Sequence, residues 1–283
     1  MPAPQGTVGT PGRAAGTIIY CHGLNRTRNQ MLPMARLGHS LGYNGLAFDF
    51  RQQGASEGRS SRPARLSSVG FWESRDVVGA IEYALGDRRA ARPLVLWGVS
   101  LGAAASLLAA AEEPEVAGVV SDSTFLSFEE ATRDHWDRFF GAWRGFPMFR
   151  AAMRLTAWEA HFRPSDFDLR VAVRQINPRP VLFIGVQGDR RMPAGDIART
   201  LYNLSSSPDR MLLVVPGSRH GEGFSLGHEQ YVQAVTNFMG RIALAAQQTT
   251  RHTVRADFGS DHHVALLFSP SKRCGSVSPP ESR

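Results

Sequence analysis

Short, nearly unbroken apolar runs recur along the chain, with amphipathic stretches between them. Thr17–Cys21, Gly45–Phe48, Pro93–Trp97, Val116–Val120, Pro180–Ile184 and Met211–Val215 do not alternate with polar residues. Such runs predict strands covered on both faces, as in a parallel sheet. Between them, Val77, Val78, Ile81, Ala84 and Leu85 fall on one face of a predicted helix, and Ala103–Ala111 forms an alanine-rich one. Tyr231, Val232, Val235, Phe238, Met239 and Ile242 mark a further apolar face near the end of the pattern. Strand–helix alternation of this kind predicts a doubly wound, mostly parallel α/β sheet with helices on both faces. The rhythm breaks from Phe125 to Arg174, where no strand pattern occurs and aromatics such as Trp136, Phe149, Trp158 and Phe162 crowd together. That stretch, about 125–174, is expected to form a small helical cap over the carboxyl edge of the sheet. Its aromatics either fasten the cap to the body or wall a ligand site, and the sequence leaves both readings open. Residues 1–16 form a short leading segment, 17–246 the domain, and 247–283 a polar tail expected to be disordered.

Composition narrows the classes. The 283 residues are 42% hydrophobic and 20% charged, which excludes global disorder and supplies a sizeable core. No apolar stretch approaches the length of a membrane span, and no charged-then-apolar leader opens the chain, so as written it reads as a cytoplasmic protein. The two cysteines, Cys21 and Cys274, are too few for a disulfide framework or a cysteine-rich zinc site. The histidines of the tail (His252, His262, His263) lack a framed set of partners, and no metal or other cofactor is expected. The net charge of +7 is dispersed. Its one local enrichment, Arg51, Arg59, Arg62 and Arg65, has no interleaved aromatics and reads as a solvated loop, so no nucleic-acid partner is expected.

Candidate chemistry enters through G-x-S-x-G, which occurs at Gly54–Gly58 and at Gly98–Gly102. Only the second lies between a predicted strand and a predicted helix, the setting of a nucleophile elbow. There the serine hydroxyl stands above the sheet at a helix N-terminus. Ser100 is therefore the candidate nucleophile and Ser56 a decoy. A serine needs a base, and the base an orienting acid. His220 follows the Met211–Val215 strand through a Pro216-Gly217 turn and is the candidate base, with His228 the weaker rival. Asp189 follows the Pro180–Ile184 strand through a glycine-containing loop and is the candidate acid, with Asp122 the rival. The backbone N–H groups of Leu101 and Leu24 are the candidate oxyanion donors, and His22 reads as a brace for the elbow.

These segments together resemble the α/β-hydrolase superfamily over about Thr17 to Ala246. The resemblance rests on Tyr20-Cys21-His22-Gly23, the Asp49–Gly58 turn, Gly98–Gly102, Arg179–Ile184 with Gly188-Asp189, and Pro216–Gly221. Asp122-Ser123-Thr124-Phe125 and the modest cap resemble the small-cap serine hydrolases: monoacylglycerol lipases, acyl-protein thioesterases and serine aminopeptidases. The resemblance implies a Ser-His-Asp hydrolase without a cofactor, and the aromatic cap with no charged pocket signature suggests a small-molecule acyl substrate that is an uncharged or lipophilic carboxylic ester or thioester. A peptidase-like amide hydrolase and a non-catalytic binding protein of the same fold are the alternatives. Three departures stand out. Gln52 replaces a usual glycine, and Gly185 a usual histidine. Two strands that ordinarily precede the His-Gly strand are missing from the pattern, because only residues 1–16 lie ahead of it. Either the sheet is reduced or the recorded start is late, and the second is the expectation. Membrane association is expected only if an upstream anchor belongs to the protein.

Overall fold

The computed structural model describes the backbone of residues 7–8, 14–56, 67–140 and 147–259. Two units result, Met1–Ala245 and Ala246–Arg283; the described part of the second, 246–259, is helical. Among the described residues seven strands make one sheet: β1 (Thr7–Val8), β2 (Thr17–Cys21), β3 (Asn44–Ala47), β4 (Leu94–Val99), β5 (Val116–Asp122), β6 (Val181–Val186) and β7 (Arg210–Val215). Their spatial order is β1-β3-β2-β4-β5-β6-β7. Every neighbouring pair is parallel except β1 with β3. The edge for which the sequence pattern offered no strand thus carries β1, whose two residues are too few to show a period.

Helices fill the connections. In chain order they are α1 (Leu32–Ser40), α2 (Phe71–Gly86), α3 (Leu101–Glu112), α4 (Phe128–Phe140), α5 (Pro147–Glu159), α6 (Leu169–Gln175), α7 (Ala194–Leu204), α8 (Gly223–Leu226) and α9 (His228–Gly259). The strands are apolar throughout because successive residues serve different cores. Ile19, Leu96, Val119 and Phe183 pack with Val77, Leu107 and Leu201 on one face. Ile18, Val95, Val120 and Leu182 pack with Met34, Val235 and Phe238 on the other. The first face is covered by α2, α3, α6 and α7, the second by α1 and α9. Cys21 is a free thiol in the first of these cores, and burial pushes its pKa up to about 12. Cys274 lies outside the described residues.

The described residues between β5 and β6 form helices and no strand, as the lack of strand pattern predicts. Several aromatics of this segment fasten it to the body. Phe162 stacks on Phe71 of α2 (centroids 5.0 Å), and Phe125, Phe128, Phe162 and Phe167 are buried in the first core; within the segment Phe162 meets Phe128 edge-on (4.8 Å) and Phe125 meets Phe167. The Trp72 indole N–H donates to the Ala160 carbonyl at 2.6 Å. Trp158, by contrast, is 73% exposed. Trp143 and Phe146 lie outside the described residues, and only the backbone of Phe139 and Phe140 is described.

At the far end, α9 continues to Gly259, past Ala246 where the apolar periodicity stops. Residues 260–283 of the expected tail lie outside the described residues. Among the described residues no helix is long and apolar enough to cross a membrane.

Candidate active site

The site is built at the carboxyl ends of β4, β6 and β7. Between β4 and α3 the chain reverses within one residue, and Ser100 takes φ 55° and ψ −115°. That left-handed φ is strained for a residue with a Cβ and persists because its surroundings fix it. The flanking glycines are a steric requirement. A Cβ on Gly98 would stand 2.3 Å from the Gly102 carbonyl oxygen, and one on Gly102 would stand 2.1 Å from that of Cys21. The turn is locked by the Ser100 N–H donating to the Asp122 carbonyl at 2.8 Å.

Ser100 Oγ lies 2.8 Å from His220 Nε2, and His220 Nδ1 lies 2.6 Å from Asp189 Oδ2. With the Nδ1 proton given to the carboxylate, Nε2 is left to accept the serine hydroxyl; the partners define the tautomer. The Asp189 side chain is fully buried, and its Oδ1 accepts the Arg191 N–H at 2.8 Å. The loops bearing Asp189 and His220 are tied together: Gly188 N–H donates to the Gly217 carbonyl (2.9 Å) and Arg190 N–H to that of Ser218 (3.2 Å). A Cβ on Gly188 would sit 2.7 Å from the Gly217 oxygen, which explains why the acid-bearing loop carries a glycine there.

The rival acid is engaged elsewhere. Asp122 is completely buried and accepts the Ser123 hydroxyl on Oδ1 (2.8 Å) and the Tyr231 hydroxyl on Oδ2 (2.9 Å). The Trp97 indole N–H in turn donates to Tyr231 Oη at 3.3 Å. Burial raises the Asp122 carboxyl above the ordinary carboxylate range, and the Asp189 charge adds to this; the two hydroxyls and His220 oppose it. Tyr231 was legible in the sequence only as one member of an apolar helix face, because a hydropathy pattern does not register its hydroxyl.

The remaining candidates sort as follows. His22 is fully buried between two backbone partners, with Nδ1 2.8 Å from the Gly23 carbonyl and Nε2 accepting the Phe50 N–H at 3.1 Å. Burial lowers its pKa, so it is a neutral brace. Ser56 donates its hydroxyl to the Asp49 carbonyl within a turn. Gln52 in that turn has φ 61°, a conformation that glycine adopts without strain. Asp49 also accepts from the Arg28 N–H and guanidinium, both at 2.7 Å. Arg51 pairs with Asp76, whereas Arg59, Arg62 and Arg65 lie outside the described residues. His228 is exposed, with Nδ1 3.3 Å from the Phe224 carbonyl.

The loop after β2 lies beside the serine: a Cβ on Gly23 would be 3.6 Å from that of Ser100. Gln30 Oε1 accepts the Gly23 N–H and Gln53 Oε1 the Asn25 N–H, each at 2.8 Å. These two side chains hold the loop by bonds that no sequence motif announces. Among the described residues the N–H groups of Leu24 and Leu101 have no acceptor. No group of three or more metal-ligating side chains occurs among the described residues. Of the tail histidines, His262 and His263 lie outside those residues, and only the backbone of His252 is described. A hydroxyl, an imidazole and a buried carboxylate in line form an arrangement able to remove a proton from an attacking serine.

Residues 16–162 match the family model described as "alpha/beta hydrolase fold". The uncharacterized protein YqkD of Bacillus subtilis is 27% identical over 247 residues, covering 82% of this chain and 73% of its own length. The quorum-quenching protein AidA of Acinetobacter baumannii is 33% identical over 124 residues, 43% of this chain and 38% of that protein. Among solved structures, the Pyrococcus furiosus esterase Pf2001 superposes with a TM-score of 0.63 at 20% identity, covering 81% of this chain and 83% of that one. A monoacylglycerol lipase from Paleococcus ferrophilus gives 0.59 at 18%, covering 84% and 98%. At those identities the structural likeness speaks to the fold. The family match spans more than half of the sequence, and the chain belongs to the alpha/beta hydrolase fold family.

Proposed function

We propose that the protein is a serine hydrolase that cleaves carboxylic esters or thioesters through an acyl-enzyme. The observation that carries this reading is the unbroken Ser100–His220–Asp189 relay, with contacts of 2.8 and 2.6 Å, centred on a serine held at φ 55°. The names of an esterase and a lipase among the structural neighbours support it.

In this mechanism His220 takes the hydroxyl proton as Ser100 attacks the acyl carbonyl. Buried Asp189 holds the imidazole in the right tautomer and stabilises the imidazolium that forms. The Leu24 and Leu101 N–H groups receive the oxyanion, each such donor typically contributing about 3 kcal/mol in the transition state. The imidazolium then protonates the leaving oxygen or sulfur. Water activated by His220 next attacks the acyl-enzyme, releasing the acid and restoring the serine. Asp122 takes no part in proton transfer, since both of its oxygens are occupied by hydroxyl donors behind the elbow.

Stopped-flow hydrolysis of nitrophenyl esters of graded acyl length tests the proposal. A burst followed by a slower steady state is expected, with kcat falling about a million-fold in Ser100→Ala. Folded wild-type protein that turns over no ester or thioester, or a Ser100→Ala variant that keeps its rate, overturns it.

A further inference from the structure

The cap helix α5 has two apolar faces, and folding uses only one. Its inner face is satisfied: Phe149, Ala157 and the adjoining Ala160 are buried, and Met153 packs against the main core. Yet the largest side chain of the helix, Trp158, points outward and is 73% exposed, and Leu155 one turn before it is 60% exposed. Among the described residues these are the only two large apolar side chains more than half exposed that stand a turn apart on one helix. Burial of the inner face therefore gives no reason for them.

The flanking charges indicate what covers this face. At about 100° per residue, Arg150, Arg154, Trp158 and Leu155 fall within about 140° of arc, with Trp158 near its centre. Arg150 and Arg154 are exposed, and no acidic side chain among the described residues pairs with either. Arg163, just past the helix, is exposed as well, while Glu159 stands at the opposite edge of the arc, beyond Leu155. An indole and a leucine edged by exposed guanidinium groups complement a surface that is apolar below and anionic above. Such a helix lies in the plane of a lipid–water interface, the indole at headgroup depth and the arginines on the phosphates. The cap leaves the sheet after β5, at the carboxyl edge that also bears Ser100.

We propose that the outer face of α5 docks the protein onto the surface of an anionic phospholipid bilayer through Trp158 and Leu155, with Arg150 and Arg154 reading its charge. This docking stands apart from the serine chemistry, and the two fail separately.

The test is co-sedimentation of the full chain with phosphatidylcholine vesicles prepared with and without phosphatidylglycerol, at low and high salt. Binding is expected only with phosphatidylglycerol and weakens as salt rises. Trp158→Ala should lower the partition coefficient about tenfold or more. Arg150→Gln with Arg154→Gln should lower it about thirtyfold. Both changes are at exposed positions and should leave the unfolding midpoint in place, and Ser100→Ala should bind as wild type does. Absence of binding, equal binding to pure phosphatidylcholine, or undiminished binding by Trp158→Ala overturns the proposal. So does a Trp158→Ala variant whose only change is a lower solution mass, because a second copy of the chain would then be the occupant.

Discussion

Replacing Tyr231 by phenylalanine removes one oxygen from the buried network behind the elbow while leaving the packing alone. The ring stays stacked on Trp97 (centroids 6.2 Å, interplanar angle 17°) and edge-on to Phe224 at 5.3 Å. Two hydrogen bonds disappear: the hydroxyl to Asp122 Oδ2 at 2.9 Å, and the Trp97 N–H to that hydroxyl at 3.3 Å. A hydrogen bond is worth about 0.5–1.5 kcal/mol net when both partners are neutral and about 1.5–3 kcal/mol when one is charged, and a buried N–H left without an acceptor costs about 1–3 kcal/mol. Because the two share one oxygen they do not simply add, and a loss of about 3 kcal/mol is expected. The cost should depend on pH. Burial raises the Asp122 carboxyl, so the fold favours its neutral form. The stability that this form contributes is fully present below the unfolded carboxyl pKa of about 3.9 and is lost as pH rises through the raised folded value. Tyr231→Phe should therefore cost more at the upper end of that window, where an anion has lost a donor, and less in an Asp122→Asn background. Urea unfolding reads this as a shifted midpoint at unchanged slope. A loss under about 1 kcal/mol at neutral pH, or an equal loss in Asp122→Asn, refutes the reasoning.

Three further outcomes are expected. Gly102→Ala drives a Cβ to 2.1 Å from the Cys21 oxygen and 2.6 Å from that of His22, so the backbone itself must move. A loss of about 3 kcal/mol or more should appear in the urea midpoint. His22 is held neutral by burial, its pKa lowered from the ordinary 6.5. Its contribution is present above that value and lost as pH falls below it, so the unfolding midpoint should drop on acidification, less steeply in His22→Gln. Arg179 donates to the carbonyls of Ala110, Glu113, Val116 and Ile176 at 2.6–3.2 Å. Lysine cannot reproduce that fork, and Arg179→Lys should cost about 1–3 kcal/mol, read by the same unfolding experiment.

Six strands were legible because each buries both faces and so carries an unbroken apolar run, and their observed ends differ from the pattern by a residue or two. Helices α1 and α7 were not read: the first has only 9 residues and carries Gly38 in its last turn, and Gly195 opens the second beside Gly185, where a Cβ would meet the Ala194 oxygen at 2.3 Å. Ser100, Asp189 and His220 were legible because each follows a strand at the same sheet edge, and the structure brings those three together. The choice of Asp189 over Asp122 needed glycine in its loop, which the close approach of Gly188 to Gly217 explains. What escaped the sequence depends on side-chain hydrogen bonds that no local pattern marks. Gln30 and Gln53 reach backbone groups of the β2–α1 loop, and Tyr231 meets Asp122 across 109 positions. The outward turn of Trp158 escaped for the opposite reason, since aromatic content alone does not tell an inner face from an outer one.

The central claim is that Ser100 is an activated nucleophile, and labelling with a fluorophosphonate probe tests it most directly. The probe requires only a deprotonatable serine beside oxyanion donors and presupposes no substrate. Wild type and Ser56→Ala should label equally, with the adduct mapped to the peptide bearing Ser100, and Ser100→Ala should not label at all. Folded wild-type protein that stays unlabelled, or labelling that survives in Ser100→Ala, would contradict the account.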